Sequence, residues 1–191
     1  MLWTATLLLV TLPALGEVLD QIVVIVNNSF IITLSDIRKE RAIQSALGSN
    51  PGSDDELADA LVERHLVEEQ LAQFRNIDVS ENDIAKRLAQ IGKPAGVSDK
   101  ELREAVIGEL RRFEFMADRF GQFIRASDEE LQQYFNDVYA PELRRNGLPV
   151  PPMEQGMEAV RANVVAVKMK QEVDNWLADL RRRSTIEKIS K

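Results

Sequence analysis

The sequence predicts a mostly helical domain in which a small β-sheet joins the two ends of the chain. Two β-branched runs, 22–26 and 30–33, flank Asn27-Asn28-Ser29, and Asn tolerates the left-handed backbone of a tight hairpin. Residues 185–189 place Ile186 and Ile189 among polar side chains, which favours a short strand with one face against the rest of the domain. Because an isolated hairpin is only marginally stable, we expect these three strands to form one sheet that closes a single domain.

Five hydroxyl residues between the strands each stand three positions before a carboxylate, the spacing of a capping box or its Asp variant. The pairs are Thr33 with Asp36, Ser53 with Glu56, Ser80 with Asp83, Ser98 with Glu101, and Ser127 with Glu130. Together with the apolar spacing they predict helices over about 35–47, 54–75, 80–92, 99–124 and 127–141.

A Pro-rich connector is predicted over 141–152, which holds four of the seven prolines. No packed element is expected there. The connector separates the hairpin and helices of 17–140 from a closing helix and strand over 153–191. The closing helix places Val165, Met169, Val173, Trp176 and Leu180 on one face.

The first sixteen residues read as a signal peptide. Residues 2–15 carry no charge, Leu7-Leu8-Leu9-Val10 form an apolar centre, and small residues precede Glu17. We therefore expect cleavage near Gly16/Glu17 and export from the cytoplasm. The apolar run is shorter than the roughly 20 residues of a membrane-spanning helix, so stable membrane insertion is not expected.

The composition excludes several classes of function. The chain has no cysteine and a net charge of −7, which rule out a disulfide framework and argue against nucleic-acid binding. No glycine pattern matches a nucleotide-binding loop. His65 is the only histidine, and its helical, apolar setting favours a partly buried structural role over catalysis. We therefore expect no enzymatic site, no metal and no cofactor.

The predicted fourth helix contains four phenylalanines, which are the first candidates for a binding surface. Phe113 and Phe120 continue its apolar stripe and are expected in the core, whereas Phe115 and Phe123 lie off the stripe and are expected to be exposed or to line a groove. Methionines adapt to varied apolar partners. The candidate binding residues are therefore Phe115, Met116, Phe123, Met153 and Met157.

Both ends of the mature chain carry a family resemblance. The chain opens with VLDQIVVIVNN (18–28) and IITLSDI (31–37), closes with EVDNWL (172–177) and IEKI (186–189), and contains SDEELQQYF at 127–135. These segments resemble SurA-type periplasmic chaperones, whose N-terminal module begins with such a hairpin and is completed by a C-terminal helix and strand. In the wider parvulin-containing family, a segment similar to 127–135 leads into the isomerase domain.

The resemblance implies the chaperone module alone, because the Pro-rich connector stands where parvulin domains would be inserted. It implies that the protein has no prolyl isomerase activity. It also implies that the protein holds unfolded exported proteins, such as outer-membrane protein precursors, without ATP. Two other classes stay open: a cell-envelope interaction module with one specific partner, and an enzyme with an unrecognised site. A homodimer that exchanges terminal strands or helices is also compatible with the sequence.

Overall fold

The computed structural model describes residues 20–74, 77–92 and 96–189; the predicted signal peptide, 1–16, lies outside these ranges. Strands β1 (Ile22–Val26) and β2 (Phe30–Thr33) form an antiparallel hairpin, and β3 (Ile186–Lys188) pairs with the other edge of β1. The strand order is β2-β1-β3. The predicted fold class is confirmed, since the protein is mostly helical and both ends of its described chain meet in one small sheet.

The hairpin turn also fixes the third strand. Asn27 and Asn28 adopt φ values of 50° and 57°, and the Ser29 N–H donates to the Val26 carbonyl at 3.1 Å, as in a type I′ turn. The Asn27 N–H donates to the Thr185 carbonyl at 2.8 Å, and its side-chain Oδ1 accepts from the Thr185 N–H at 3.1 Å. One residue therefore makes the turn and aligns the C-terminal strand.

The helices begin at the predicted hydroxyl residues. Thr33, Ser53, Ser98 and Ser127 form complete capping boxes, and the Ser80 hydroxyl accepts from the Asp83 N–H at 3.1 Å. The helices are α1 (Leu34–Ala46), α2 (Asp54–Ala72), α3 (Glu81–Gln90), α4 (Asp99–Phe120), α5 (Asp128–Tyr134), α6 (Ala140–Arg145) and α7 (Met153–Arg183), and a π-helical segment (Phe135–Tyr139) joins α5 to α6.

The prediction that the fifth helix ends near Pro141 is wrong, because helical structure continues to Arg145. Proline lacks the N–H that an α-helix needs at this point. The π-helical segment shifts the hydrogen-bond register directly before it, and the Ala140 N–H bonds to the Phe135 carbonyl. The irregular connector is therefore 146–152, shorter than the predicted 141–152. Gly147, with φ of 69°, ends the helical run.

The main core lies between the sheet and four helices and is called here the body core. It contains the inner sheet residues Val24, Val26 and Ile32, Ile37 of α1, much of α2, Phe115 of α4, and Trp176 and Leu180 of α7. A smaller cluster around Ile43, Val97 and Leu102 joins α3 to α1 and α4. These two clusters thus hold together the sheet, the first four helices and the second half of α7.

A separate apolar cluster holds the part of the chain called here the arm, which comprises α5, the π-helical segment, α6 and the first half of α7. Leu131, Val160 and Val164 are buried in it, with Tyr134 and Met157 packed against them. At 100° per residue, Val160 and Trp176 point about 160° apart around the axis of α7. This helix therefore packs one face against α5 and nearly the opposite face against the body core.

Candidate functional site

An open groove with apolar walls runs between α7 and the stretch formed by α5 and the π-helical segment, and it is called here the arm groove. Tyr134 and Val138 form one wall, and Val164 and Val167 form the other, around a volume of about 310 Å³. Val138 is 39% exposed and Val167 is 55% exposed. Two antiparallel helices leave such a groove when no third helix covers it.

Lys168 marks one end of the arm groove. Its Nζ donates to Glu130 Oε1 and to the Arg125 carbonyl, both at 2.7 Å. The hydrogen bond from Lys168, followed by that from the Ser127 N–H, lowers the pKa of Glu130 from its ordinary value. Glu130 is therefore a carboxylate at neutral pH, and its ion pair ties the start of α5 to the middle of α7.

A second depression, of about 400 Å³, meets the arm groove at Lys168. It is lined by Phe120, Phe123 and Ile124 and by the charged side chains of Arg125 and Glu172. Phe123 is 75% exposed. The two depressions thus place apolar side chains on either side of one lysine.

The predicted exposure of Phe123 is confirmed, and that of Phe115 is wrong. Phe115 is fully buried, with its ring 5.3 Å from the ring of Phe74 and 5.9 Å from that of Trp176. Phe115 therefore has no surface to offer a ligand in the folded protein. Phe113, expected in the core, is 69% exposed instead.

Phe113 is exposed and Phe115 is buried, the reverse of the prediction, because α4 packs against different neighbours along its length. Its first half buries Leu102 against α3 and the end of α1, whereas its second half buries Phe115 against α2 and α7. These contacts lie on different faces of the helix, so a single apolar stripe does not run along it. Phe120 packs, partly buried, against the body core, as predicted for it.

The three candidate methionines do not line the arm groove. Met116 is partly buried against the body core, and Met157 is partly buried against the arm cluster. Met153 is half-buried at the first position of α7. Of the five candidate residues, Phe123 lines the depression next to the arm groove, and none lines the arm groove itself.

The prediction missed the walls of the arm groove, namely Tyr134, Val138, Val164 and Val167. A usable signal existed in α7, where Met157, Val160, Val164 and Val167 are spaced by three, four and three residues. This stripe has a different phase from the predicted one that ends at Leu180. No comparable signal exists for Val138, because the π-helical segment changes the residue spacing around it.

A larger cleft of about 660 Å³ lies between α3 and α4. Phe113 and Leu110 line it together with charged residues, including Asp83, Lys86 and Arg87. Arg87 is held by Glu109 through two hydrogen bonds, of 3.2 and 2.9 Å. The mixed charge makes this cleft a weaker candidate than the arm groove for an apolar ligand.

His65 has the structural setting expected of it. Its ring stacks on Phe30 with centroids 3.7 Å apart, and its Nε2 lies 3.3 Å from Glu69 Oε1. Among the residues that the structure describes, no group of three or more His, Asp and Glu could hold a metal ion. Within the same ranges, no helix combines the length and apolar character needed to cross a membrane.

Comparisons of this chain with protein-family models, with curated proteins and with solved structures find no match. The resemblance to SurA-type chaperones therefore rests on the terminal segments and the 127–135 segment quoted above.

Proposed function

We propose that this protein binds extended segments of unfolded polypeptides in the arm groove, without ATP and without catalysis. The observation that carries the proposal is the pair Val138 and Val167, which stay exposed on facing walls of one groove. A groove lined by apolar side chains with a few polar groups at its rim is typical of binding sites. A peptide side chain placed between these walls would remove both valines from water.

The surroundings of the groove suit a ligand of variable sequence. Its walls are apolar, and its rim carries Gln133, Asp137 and Lys168, which can hydrogen-bond the main chain of any peptide. Phe123 extends the apolar surface beyond Lys168. Such contacts give weak binding with little sequence preference, which is what the holding of unfolded chains requires.

The cellular setting is part of the proposal and is drawn from the sequence. The predicted signal peptide and the resemblance to SurA-type chaperones together favour a periplasmic holdase for exported proteins, with outer-membrane protein precursors as the leading client class. A module dedicated to one specific partner is the alternative, and it differs in client range. A holdase suppresses the aggregation of several unrelated clients, whereas a dedicated module acts on one.

The test is light scattering of an outer-membrane β-barrel protein diluted from urea, with and without the purified chain. Suppression near a one-to-one ratio, for at least two unrelated clients and without ATP, is expected. Val167→Asp should abolish the suppression, because it places a charge on the groove wall. Ile31→Asp is the matched control, since Ile31 is 48% exposed on the sheet, outside the groove.

Unchanged scattering at a several-fold excess of the chain would overturn general holding. Equal loss of suppression in both variants would overturn the assignment to the arm groove. Circular dichroism of each variant establishes that the comparison is made between folded proteins.

A further inference from the structure

The second part of the connector between α6 and α7 is a run in which proline restricts every residue. It reads Leu148-Pro149-Val150-Pro151-Pro152 and is called here the proline segment. Proline fixes its own φ at about −65° and disfavours helical backbone in the residue before it. Each residue of the segment is itself a proline or directly precedes one, so the sequence favours the extended polyproline II helix.

The structure agrees with this conformation. Pro152 has φ of −51° and ψ of 147°, close to polyproline II values. Pro149 and Pro152 are exposed, whereas Val150 and Pro151 between them are half-buried. A polyproline II helix has three residues per turn, so residues three apart lie on one face. Pro149 and Pro152 therefore form one solvent-facing edge of the segment.

Hydrogen bonds hold both ends of the proline segment. The Leu148 N–H donates to the Leu143 carbonyl of α6 at 2.9 Å, and the Gln155 N–H of α7 donates to the Pro152 carbonyl at 3.0 Å. Between these anchors, in the part of the chain that the structure describes, the backbone of Val150 makes no hydrogen bond. The segment therefore presents free backbone groups on a fixed extended chain, which reduces the entropy lost on binding.

Helix packing explains only the half of the segment next to α7. Pro152 occupies the N-cap position of α7, and the Cγ of Pro151 would lie 3.6 Å from a Cβ added at Gly156. At the other end, Leu148 is 53% exposed, and Pro149 is exposed beside it. The structure thus leaves Leu148 and Pro149 available to a partner.

The end of α6 adds positive charge next to this exposed half. Arg144 and Arg145 are the last two residues of α6, and both are exposed. Within the described ranges neither forms an ion pair, whereas the three arginines that end α7 are all paired with acidic residues. Two unpaired guanidinium groups favour a partner with carboxylates, which they can bind through paired hydrogen bonds.

We propose that the proline segment docks into a groove of a separate protein domain, lined by aromatic side chains and bearing carboxylates at its rim. Grooves lined by aromatic side chains recognise segments with prolines three residues apart, because the preformed helix loses little entropy on binding. Leu148, Pro149 and Pro152 would pack on the aromatic rings. Arg144 and Arg145 would pair with the carboxylates.

This docking surface is separate from the arm groove, since no residue of the proline segment lines that groove. The chain can therefore hold a client while it is attached to a partner domain. The inference does not rest on client holding, because every contact that it uses lies in the connector or at the end of α6.

The test is an NMR titration of the isotope-labelled full chain with two probe domains that bind Pro-rich segments in aromatic grooves. The probes are an SH3 domain with carboxylates at the rim of its groove and a WW domain. At least one probe should bind and shift the amide signals of Arg145, Leu148 and Val150. The amide signal of Ile31, which lies on the sheet, should stay unchanged.

Pro149→Ala should weaken the binding about tenfold, because it removes a packed ring and loosens the extended backbone. Arg145→Glu should weaken it by a similar factor, because it places a like charge against the carboxylates. Pro51→Ala is the matched control, since Pro51 lies in the irregular connector between α1 and α2. It should leave the affinity unchanged.

No binding of either probe at a concentration of about 1 mM would overturn the proposal. So would an affinity that Pro149→Ala leaves unchanged, or signal changes centred on the arm groove instead of the proline segment. Pro149→Ala should still suppress client aggregation, because Pro149 lies outside the arm groove. Probe binding by a chain that holds no client would leave this inference intact while the proposed function failed.

Discussion

Lys168 and Glu130 join the two helices of the arm, with Lys168 Nζ 2.7 Å from Glu130 Oε1. The same Nζ also donates to the Arg125 carbonyl at 2.7 Å, so one ammonium group holds the start of α5 and the segment that precedes it. The arm groove and the depression beside Phe123 meet at this lysine. Its side chain therefore holds together the two helices that border the surface proposed to bind peptides.

Replacing Lys168 with Met should raise the pKa of Glu130 toward its ordinary value, because Lys168 is the main cause of its lowering. The pKa should remain somewhat low, since the Ser127 N–H still donates to Glu130 at 2.8 Å. An NMR titration of the Glu130 side chain measures the change. Lys170→Met is the control, because Lys170 pairs with Asp174; an equal shift in both variants would contradict this account of the ion pair.

Phe115→Ala should destabilise the protein by about 3–5 kcal/mol, since it leaves a cavity among Phe74, Trp176 and the rest of the body core. Phe113→Ala should change the free energy of unfolding by less than about 0.5 kcal/mol, because that ring lies mostly in solvent. Urea denaturation of the two variants measures the difference. Similar losses would mean that the burial assigned to the two rings is incorrect.

Arg64→Ala should destabilise the protein by about 2 kcal/mol. The loss should be smaller than for a wholly buried ion pair, because the Arg64 side chain is one-third exposed. Glu40 is nearly fully buried and receives Arg64 Nη1 at 2.6 Å and Gln44 Nε2 at 2.9 Å. Removing the guanidinium leaves a buried carboxylate without its counter-charge.

Arg41→Ala is the matched control, because Arg41 pairs with Asp54 at the surface and should contribute less than about 1 kcal/mol. Thermal and urea denaturation give both values. If Arg64→Ala lowers the free energy of unfolding no more than Arg41→Ala does, the pair of Arg64 with Glu40 stabilises the protein no more than a surface ion pair.

Glu101 should make folding stability depend on pH in the acid range. The hydrogen bond from Lys39, followed by those from Ser98, lowers the pKa of Glu101 from 4.5 to about 2. A carboxyl with a lowered pKa stabilises the fold fully above its unfolded pKa, and this contribution is lost as the pH falls from about 4.5 to about 2.

The stability of wild type and Glu101→Gln, measured by denaturant unfolding between pH 2 and pH 7, tests this assignment. The wild type should be the more stable at pH 6, and the difference should shrink as the pH approaches 2. When both proteins also carry Lys39→Met, the difference in stability at pH 6 should be smaller, because the main cause of the lowered pKa of Glu101 is then absent. A difference that stays constant with pH would contradict the assigned cause.

The local signals in the sequence predicted most of the fold, because each depends on a few neighbouring residues. The hydroxyl and carboxylate pairs located every helix start that they marked, and Asn27-Asn28 located the hairpin turn. The pattern of apolar and polar residues around Ile186 predicted the third strand. Capping and turn geometry are local, so tertiary packing did not override them.

The candidate site was predicted poorly, because it depends on which neighbours a long helix meets along its length. The predicted burial of Phe113 and exposure of Phe115 were reversed, because the two halves of α4 pack against different helices. Likewise, α7 packs Val160 against α5 and Trp176 against the body core. A periodicity analysis that assumes one partner for each helix assigns the wrong face to part of each. The π-helical segment, which places Val138 in the groove, has no spacing signature of its own.

The most direct test of the account is photo-crosslinking of an unfolded client to the folded chain. A photoreactive residue is placed in turn at Val167 in the arm groove, at Phe113 in the α3–α4 cleft, and at Ile31 on the sheet. The account predicts a strong crosslink to the client from position 167 and weak or no crosslinks from positions 113 and 31. Crosslinks from 113 or 31 with none from 167 would contradict client binding in the arm groove.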